Sequence, residues 1–314
     1  MDAEAGWSRI MSQRFYFDKN VINRSTLLRQ DNHIGRQLKD MGQKFIFVCD
    51  DKNLFYVGDK PKPVFLDKSA VAELKIENYE RIFLGVADNT AFYAIMTPVN
   101  ISIEDAVLPS NHYFEDLRTL ATNIDPLEAS YLAYAKALVY WNEKSRFCGT
   151  CGSPTTSQKN GHERICSSDV CRQVHFPRTD PAVIMLVTHP TAKKCLLGRN
   201  RRFKGMRFST LAGFVEPGET LEQAVIREVF EETGVLVSKA KYRGSQPWPF
   251  PASIMLGFRA EADSEEIKCD DDELIEARWF TKEETLALSN LEDGLPPSNF
   301  SISRWLIDVW LNES

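Results

Sequence analysis

The sequence predicts an α+β protein in which a zinc-binding module separates two domains. Three observations point to this class: short runs rich in Phe, Ile and Val between polar residues, a helix-start signal in mid-chain, and four closely spaced cysteines after it. The length of 314 residues, about twice that of a common domain, agrees with two domains. The expected divisions are a mixed α/β domain over 1–124, a connector helix over 125–145, a zinc ribbon over 146–177 and a second α/β domain over 178–314.

The N-terminal domain is predicted from four runs typical of β-strands, at 44–48, 54–57, 81–86 and 91–95. We expect a mixed, mostly antiparallel sheet. Because no group of catalytic residue types occurs in residues 1 to about 120, a scaffolding, dimerisation or substrate-gating role is favoured over chemistry.

The connector helix is predicted to begin with Asp125 as N-cap, Pro126 at its first position and Glu128 at its third. Apolar residues then recur at three- and four-residue spacing. This pattern predicts an amphipathic helix that ends near Lys144.

The zinc ribbon is predicted from a Cys-x2-Cys-x14-Cys-x4-Cys spacing formed by Cys148, Cys151, Cys166 and Cys171. In a cytosolic chain, two close pairs separated by a hairpin-sized spacer favour one tetrahedral zinc over two disulfides. The alternative, four unrelated buried thiols, leaves the clustering to chance. Four sulfur ligands leave no position for water, so this zinc is expected to be structural.

The C-terminal domain is predicted to run strand, loop, helix, strands, helix. A continuous apolar run at 182–188 is typical of a strand buried on both faces, and 194–198 is its expected hairpin partner. A helix over about 221–233 should stop at Gly234. Further strands are expected at 253–260 and 277–280, and an amphipathic helix at 302–311.

The helix at 221–233 carries the candidate chemistry. Glu228, Glu231 and Glu232 stand at i, i+3 and i+4, which places three carboxylates on one face within one turn. Their mutual repulsion would be relieved by Mg²⁺ or Mn²⁺, which prefer carboxylate oxygens, and Arg227 can orient a carboxylate by a bidentate pair. Taken alone, the three glutamates would also fit a solvated acidic face.

The wider pattern Gly-x5-Glu-x7-Arg-Glu-Val-x-Glu-Glu-x-Gly-Val, from Gly213 to Val235, resembles the Nudix box. The resemblance implies a Nudix α/β/α sandwich that hydrolyses a nucleoside diphosphate linked to another group with two or three divalent ions. It further implies Glu228 and Glu232 as principal metal ligands, assistance from Glu219 and Glu231 as ligand, salt-bridge partner or base, and the Ala212 carbonyl as a further ligand.

A second signature, Gln-Pro-Trp-Pro-Phe-Pro-x-Ser, follows the box and resembles the NADH pyrophosphatase branch of that family. That branch also has a four-cysteine zinc ribbon before the Nudix domain. By itself the segment would also fit a buried proline-rich crossing, whereas a rigid wall of prolines and aromatic rings would hold flat rings. The substrate-binding residues implied are Gln246, Pro247, Trp248, Pro249, Phe250, Pro251 and Ser253.

Three further positions follow from the same resemblance. Phe176 stands where the branch commonly has Tyr, and Phe214 resembles the second ring of a base-binding clamp. Glu273 resembles a distal metal ligand, whereas Asp270, Asp271 and Asp272 are expected to be a solvated loop.

The function implied is metal-dependent hydrolysis of NADH, and more weakly NAD⁺, to AMP and nicotinamide mononucleotide, with removal of NAD caps from RNA 5′ ends by the same cleavage. The resemblance also implies a homodimer. Two alternatives stay open: a Nudix hydrolase for ADP-ribose or other dinucleotides, and a catalytically inactive module that binds nucleotides or RNA.

Charge and composition constrain the substrates, partners and location that can be expected. The net charge of −6 argues against non-specific nucleic-acid binding, and an anionic substrate would need local help from a metal ion. No apolar run approaches the roughly 20 residues of a membrane-spanning helix. Because neither a secretory signal nor a peroxisomal Ser-Lys-Leu end is seen, a cytoplasmic location is expected, although some members of the branch are peroxisomal.

Overall fold

The computed structural model describes residues 17, 21–30, 38, 40–98, 102–104, 108–202, 205–269, 273–291, 293–296 and 300–313. Its chain separates into two compact units. One consists of 1–18, 180–248 and 253–314, and the other of 19–179 and 249–252. The finer division of 19–179 into domain, connector helix and ribbon stays a prediction.

The unit around 19–179 contains a six-stranded sheet in the order β3-β2-β1-β5-β4, with β6 on β2. β1 and β5 are parallel and every other pair is antiparallel, which confirms the expected mixed sheet. The strands are β1 (Gly42–Cys49), β2 (Lys52–Tyr56), β3 (Lys62–Pro63), β4 (Glu80–Ala87), β5 (Thr90–Met96) and β6 (His112–Glu115). The described helices before the connector are α1 (Thr26–Gln30), α2 (Lys68–Glu73) and α3 (Leu117–Leu120).

The connector helix α4 (Pro126–Lys144) begins as predicted, with the Asp125 carboxylate accepting from the backbone N–H groups of Leu127 and Glu128. It is not the amphipathic helix that the sequence suggested, because Lys144 is its one exposed residue. The helix packs against β1, β4 and β5, and the buried Asn142 donates to the carbonyl of Gly161 at 3.0 Å.

The zinc ribbon is a three-stranded antiparallel sheet of β7 (Thr155–Gln158), β8 (Glu163–Cys166) and β9 (Val174–His175). The buried Arg164 links it to its neighbours within the unit. Its guanidinium donates to the hydroxyl of Thr155 at 2.8 Å, to the side-chain oxygen of Asn142 at 3.0 Å and to the Glu80 carboxylate at 3.3 Å. These bonds satisfy a charge that would otherwise be costly to bury.

The other unit is built on a sheet in the order β13-β14-β10-β11-β15, with β12 on β10, and β10 parallel to β14. Its strands are β10 (Asp180–Thr188), β11 (Lys194–Asn200), β12 (Leu211–Phe214), β13 (Val237–Trp248), β14 (Ser253–Ala262) and β15 (Leu274–Thr281). Its helices are α5 (Leu221–Thr233), α6 (Lys282–Ser289) and α7 (Ile302–Leu311).

The central strand β10 is buried on both faces, as its continuous apolar run predicts. Val183, Met185 and Val187 pack with α5 on one side of the sheet. Ile184 and Leu186 pack with α7 on the other side. The expected α/β/α sandwich is therefore confirmed.

Along the described residues, no helix combines the length and the apolar character needed to cross a membrane.

Candidate active site

The helix α5 is held in place by local sequence signals at both ends. The Thr220 hydroxyl accepts from the backbone of Gln223, whose side chain accepts in return from the Thr220 backbone, so the two form a capping box. Gly234 ends the helix at a φ of 68°, a conformation that favours glycine. Val225 and Val229 are fully buried in the core, whereas the side of the helix that carries Glu231 faces solvent.

Arg227 is the centre of the carboxylate cluster. Its guanidinium forms the predicted bidentate pair with Glu219, at 3.1 and 2.7 Å, and also donates to Glu228 and Glu231, each at 2.9 Å. A further bond of 2.9 Å reaches the carbonyl of Phe214 at the end of β12. These bonds between Arg227 and Glu219 lower the pKa of Glu219 and are the largest cause that raises the pKa of Arg227. One cation therefore ties three carboxylates to the neighbouring strand.

Glu228 is packed against the backbone of β12. A Cβ placed on Gly213 would lie 1.9 to 2.1 Å from the carboxylate atoms of Glu228, so only glycine leaves room for this group. Burial is the largest cause that raises the pKa of Glu228, and the charge of Glu273 raises it further, whereas Arg227 lowers it. Ala212, whose carbonyl is the predicted further ligand, directly precedes the glycine.

The three glutamates of one helical turn differ in their solvent exposure. The Glu231 side chain is 54% exposed, whereas the Glu228 side chain is 14% exposed and Glu232 is 4% exposed. In the described parts of the chain, the carboxylates do not converge to ligand distance as the four cysteines do. The Arg227 guanidinium bonds three of them.

The donor set fits a hard divalent cation. All of its side chains are carboxylates, the ligands that Mg²⁺ and Mn²⁺ prefer, and Arg227 already shows that the cluster accommodates positive charge. The residues that would hold such a cation are the predicted ligands Glu219, Glu228, Glu232 and Glu273 with the Ala212 carbonyl. The predicted loop of Asp270, Asp271 and Asp272 lies outside the described residues.

The four cysteines form a site that fits zinc. All four sulfur atoms lie within 4.8 Å of one another, with 3.8 Å between Cys148 and Cys171 and 3.4 Å between Cys151 and Cys166. A zinc–sulfur bond of about 2.3 Å gives a tetrahedron whose edges are about 3.8 Å. The backbone N–H of Thr150 is the largest cause that lowers the pKa of Cys148 to about 5, which favours the thiolate that binds metal.

His175 is a neighbour of the zinc site that the sequence reasoning missed. Its imidazole is among the groups that lower the pKa of the Cys148 thiol. Such partners orient metal ligands and stabilise their charge. The signal available in the sequence was a polar residue only four positions after Cys171.

The two predicted stacking rings are both on the surface of their units. Phe176 is 63% exposed and Phe214 is 60% exposed, so neither ring belongs to a hydrophobic core. Phe176 belongs to the unit around 19–179 and Phe214 to the other. An exposed ring is available for stacking on a base.

The proline-rich segment begins as a strand, which the sequence analysis did not predict. Ser245 to Trp248 are the last residues of β13, Pro249 to Ala252 belong to the other unit, and Ser253 begins β14. The Trp248 ring is half-buried and meets Phe300 edge-on at 5.3 Å. Of the predicted wall, Pro247 and Pro251 are exposed, Phe250 and Ser253 are half-buried, and Pro249 is buried.

Gln246 is fully buried and its amide is engaged within the protein. It donates to the carbonyl of Phe300 at 2.9 Å and accepts from the N–H of Ile302 at 2.8 Å. Both bonds hold the start of α7. The structure therefore gives this residue a positioning role and directs neither amide atom to a substrate.

Three family models match successive parts of the chain. They describe an NADH pyrophosphatase-like rudimentary NUDIX domain at 42–141, an NADH pyrophosphatase zinc ribbon domain at 143–176 and a NUDIX domain at 178–306.

Three of the similar proteins are named NAD-capped RNA hydrolases. The NAD-capped RNA hydrolase NudC of Mycobacterium bovis BCG is 37% identical over 240 residues, which cover 74% of this chain and 75% of that protein. The NAD-capped RNA hydrolase NUDT12 of Homo sapiens is 44% identical over 196 residues, 59% of this chain and 42% of that one. NudC of Pseudomonas aeruginosa is 46% identical over 182 residues, 57% of this chain and 60% of that one.

The chain thus spans about half the length of the last two relatives, and about three quarters of the first. The four-cysteine ribbon and the sandwich that follows it along the chain fall in the ranges matched by the zinc ribbon and NUDIX models. The chain belongs to the Nudix hydrolase family, in the branch marked by the NADH pyrophosphatase zinc ribbon.

Proposed function

We propose that the protein hydrolyses the pyrophosphate bond of NADH and NAD⁺ to AMP and nicotinamide mononucleotide, and that it removes NAD caps from RNA 5′ ends. The observation that carries this proposal is the carboxylate cluster around Arg227, on a complete Nudix helix. Relatives named NAD-capped RNA hydrolases support the choice of substrate. A module that only bound nucleotides would have no need of all four glutamates.

Arg227 acts as the positioning residue of this site. Its bonds to Glu219, Glu228 and Glu231 fix carboxylates that would otherwise repel one another. Glu228 and Glu232, with Glu219, Glu273 and the Ala212 carbonyl, would hold two or three Mg²⁺ or Mn²⁺ ions. When bound, such ions neutralise the pyrophosphate and lower the pKa of an attacking water.

Either Glu231 or Glu232 receives the proton of that water. The exposure of Glu231 favours it, because a general base must reach the solvent molecule that it deprotonates. Its bond to Arg227 limits the directions in which the carboxylate can point.

Aromatic rings on each unit are available to bind a base or the nicotinamide. Phe214 in one unit and Phe176 in the other each present an exposed ring, and stacking on such a ring contributes about 1 to 3 kcal/mol per base.

The deciding experiment measures initial rates with NADH, NAD⁺, ADP-ribose and an NAD-capped RNA, with Mg²⁺ and then Mn²⁺. The Glu232→Gln variant should fold normally and lose at least about 100-fold in rate, because Gln keeps the size and loses the charge that holds a metal. Glu222→Gln is the matched control, since Glu222 lies exposed in the first turn of the same helix.

Two outcomes would count against the proposal. Near-wild-type rates of Glu232→Gln on every substrate would show that this carboxylate holds no essential metal. A wild-type preference for ADP-ribose over NADH and capped RNA would favour the alternative substrate class.

A homodimer is proposed on the resemblance alone. Light scattering coupled to size-exclusion chromatography should give twice the chain mass of 35.8 kDa.

A further inference from the structure

The loop after β11 carries a concentration of positive charge. Residues 199–207, Arg-Asn-Arg-Arg-Phe-Lys-Gly-Met-Arg, include five basic residues and no acidic one, in a chain whose net charge is −6. The net charge therefore does not describe this part of the surface, because binding of a polyanion depends on the local field. Of the five, Lys204 lies outside the described residues.

The backbone at the start of this loop is fixed beside a predicted metal ligand. The N–H of Arg201 donates to the carbonyl of Glu273 at 3.0 Å, and the N–H of Arg202 donates to the side-chain oxygen of Asn200 at 2.9 Å. The Arg202 side chain also reaches the Glu273 carboxylate at 3.9 Å, so the start of the loop contacts this predicted ligand through both backbone and side chain.

The arginines of the loop differ in how their charge is compensated. Arg199 pairs with Glu276 at 3.4 Å and Arg207 pairs with Asp293 at 2.7 Å, so both are held in the domain. The Arg202 side chain is 84% exposed and reaches Glu273 only at 3.9 Å. Within the described residues, no carboxylate lies at ion-pairing distance from the exposed Arg201 guanidinium. Arg201 is therefore open to an anion, and Arg202 has one long ion pair on a highly exposed side chain that an anion can also reach.

A capped RNA carries more phosphates than a free dinucleotide, so binding it can use more positive charges on the protein. NADH has one pyrophosphate, which the proposed metal site engages. A capped RNA adds one phosphate for every nucleotide that follows the cap, and Arg forms bidentate bonds to phosphate. We propose that Arg201 and Arg202 bind backbone phosphates of the RNA chain that follows the NAD cap. This inference rests on the proposed function and deepens it by naming residues that distinguish capped RNA from free NADH.

The test compares kcat/KM for NADH with kcat/KM for an unstructured NAD-capped RNA of about 20 nucleotides, at several salt concentrations. Each phosphate contact to a single strand contributes a slope of about −0.7 in a plot of log affinity against log salt. Two contacts correspond to a slope of about −1.4, or roughly 25-fold at 0.1 M salt. The R201Q/R202Q variant should lose about this much on capped RNA, show a shallower salt slope, and keep its rate on NADH.

The matched control is K239Q/K241Q, which removes two exposed positive charges from β13. The inference is overturned if this control loses as much activity on capped RNA, if R201Q/R202Q loses none, or if R201Q/R202Q loses activity equally on NADH. Melting temperatures of both variants should match the wild type, because all four side chains are exposed.

Failure of the proposed function would be seen separately, as a wild-type protein that cleaves neither substrate. Fluorescence anisotropy with the same capped RNA then tests the phosphate contacts alone. Equal affinity of the wild type and R201Q/R202Q in that measurement would refute them.

Discussion

Replacing Gly213 by alanine should separate catalysis from stability. The added methyl would lie 1.9 Å from the nearest carboxylate atom of Glu228, whereas ordinary contacts begin near 3.4 Å. The carboxylate would therefore have to move by about 1.5 Å and would lose its 2.9 Å bond to Arg227. A misplacement of about 1 Å in a catalytic group can cost roughly 100-fold in rate. We expect Gly213→Ala to lose at least that much in kcat/KM for NADH.

The fold should tolerate the same change. Gly213 has no left-handed φ, and the atoms that must move are the far end of a flexible side chain. A strained side-chain rotamer costs about 0.5 to 1.5 kcal/mol, and alanine recovers a similar amount by restricting the unfolded chain. The melting temperature should thus change by only a few degrees.

Steady-state kinetics and thermal unfolding of Gly213→Ala are compared with those of Gly58→Ala. The closest atom to a Cβ at Gly58 is 3.9 Å away, so this control should match the wild type in both measurements. A Gly213→Ala enzyme with wild-type activity would show that the position of Glu228 against β12 is unimportant for catalysis. A large loss of stability would show that the carboxylate cannot move aside.

Three other outcomes are expected. Elemental analysis of freshly purified protein should find one zinc per chain, and its absence would contradict the thiolate site at Cys148, Cys151, Cys166 and Cys171. Truncation of Phe176 or Phe214 to alanine should raise the Michaelis constant for NADH by about 5- to 150-fold. The melting temperature should not fall, because both rings are exposed. A lower melting temperature with an unchanged Michaelis constant would refute stacking. His162 donates to the carbonyl of Phe83, and burial is the largest cause that lowers the pKa of His162 from 6.5 to about 4. Because His162 takes up a proton at higher pH in the unfolded chain than in the folded one, its protonation should lower the free energy of unfolding by about 3 kcal/mol as the pH falls from 6.5 to 4. The His162→Gln variant should show a weaker pH dependence of this free energy in denaturant titrations. An unchanged pH dependence would show that His162 is not responsible for it.

Elements with local signals were predictable. The cap residues of α5, Thr220 and Gly234, stand directly next to the helix in the sequence. The start of α4 is marked by Asp125 as N-cap and Pro126 at the first helical position. The strand β10 was found because a strand covered on both faces is apolar at every position.

Elements defined by distant partners were not predictable. Among the described strands, β13 pairs with β14 alone, and its polar sequence with Gly244 and Pro247 lacks the expected alternation. The role of Gln246 depends on Phe300 and Ile302, more than 50 residues away. Similarly, the glutamates of α5 were expected to gather around metal, but only the structure shows that Arg227 lies among them.

The pairing of β10 with β14 has a consequence for synthesis on the ribosome. Asp180 pairs with Ser253, which is 73 residues later in the chain. During synthesis β10 therefore stays unpaired on this side until β14 has been made. At about 5 to 20 residues per second, that delay is about 4 to 15 seconds. During this time Ile184 and Leu186 lack the α7 residues that later cover them. We therefore expect the nascent chain to depend on chaperones between the emergence of β10 and that of α7.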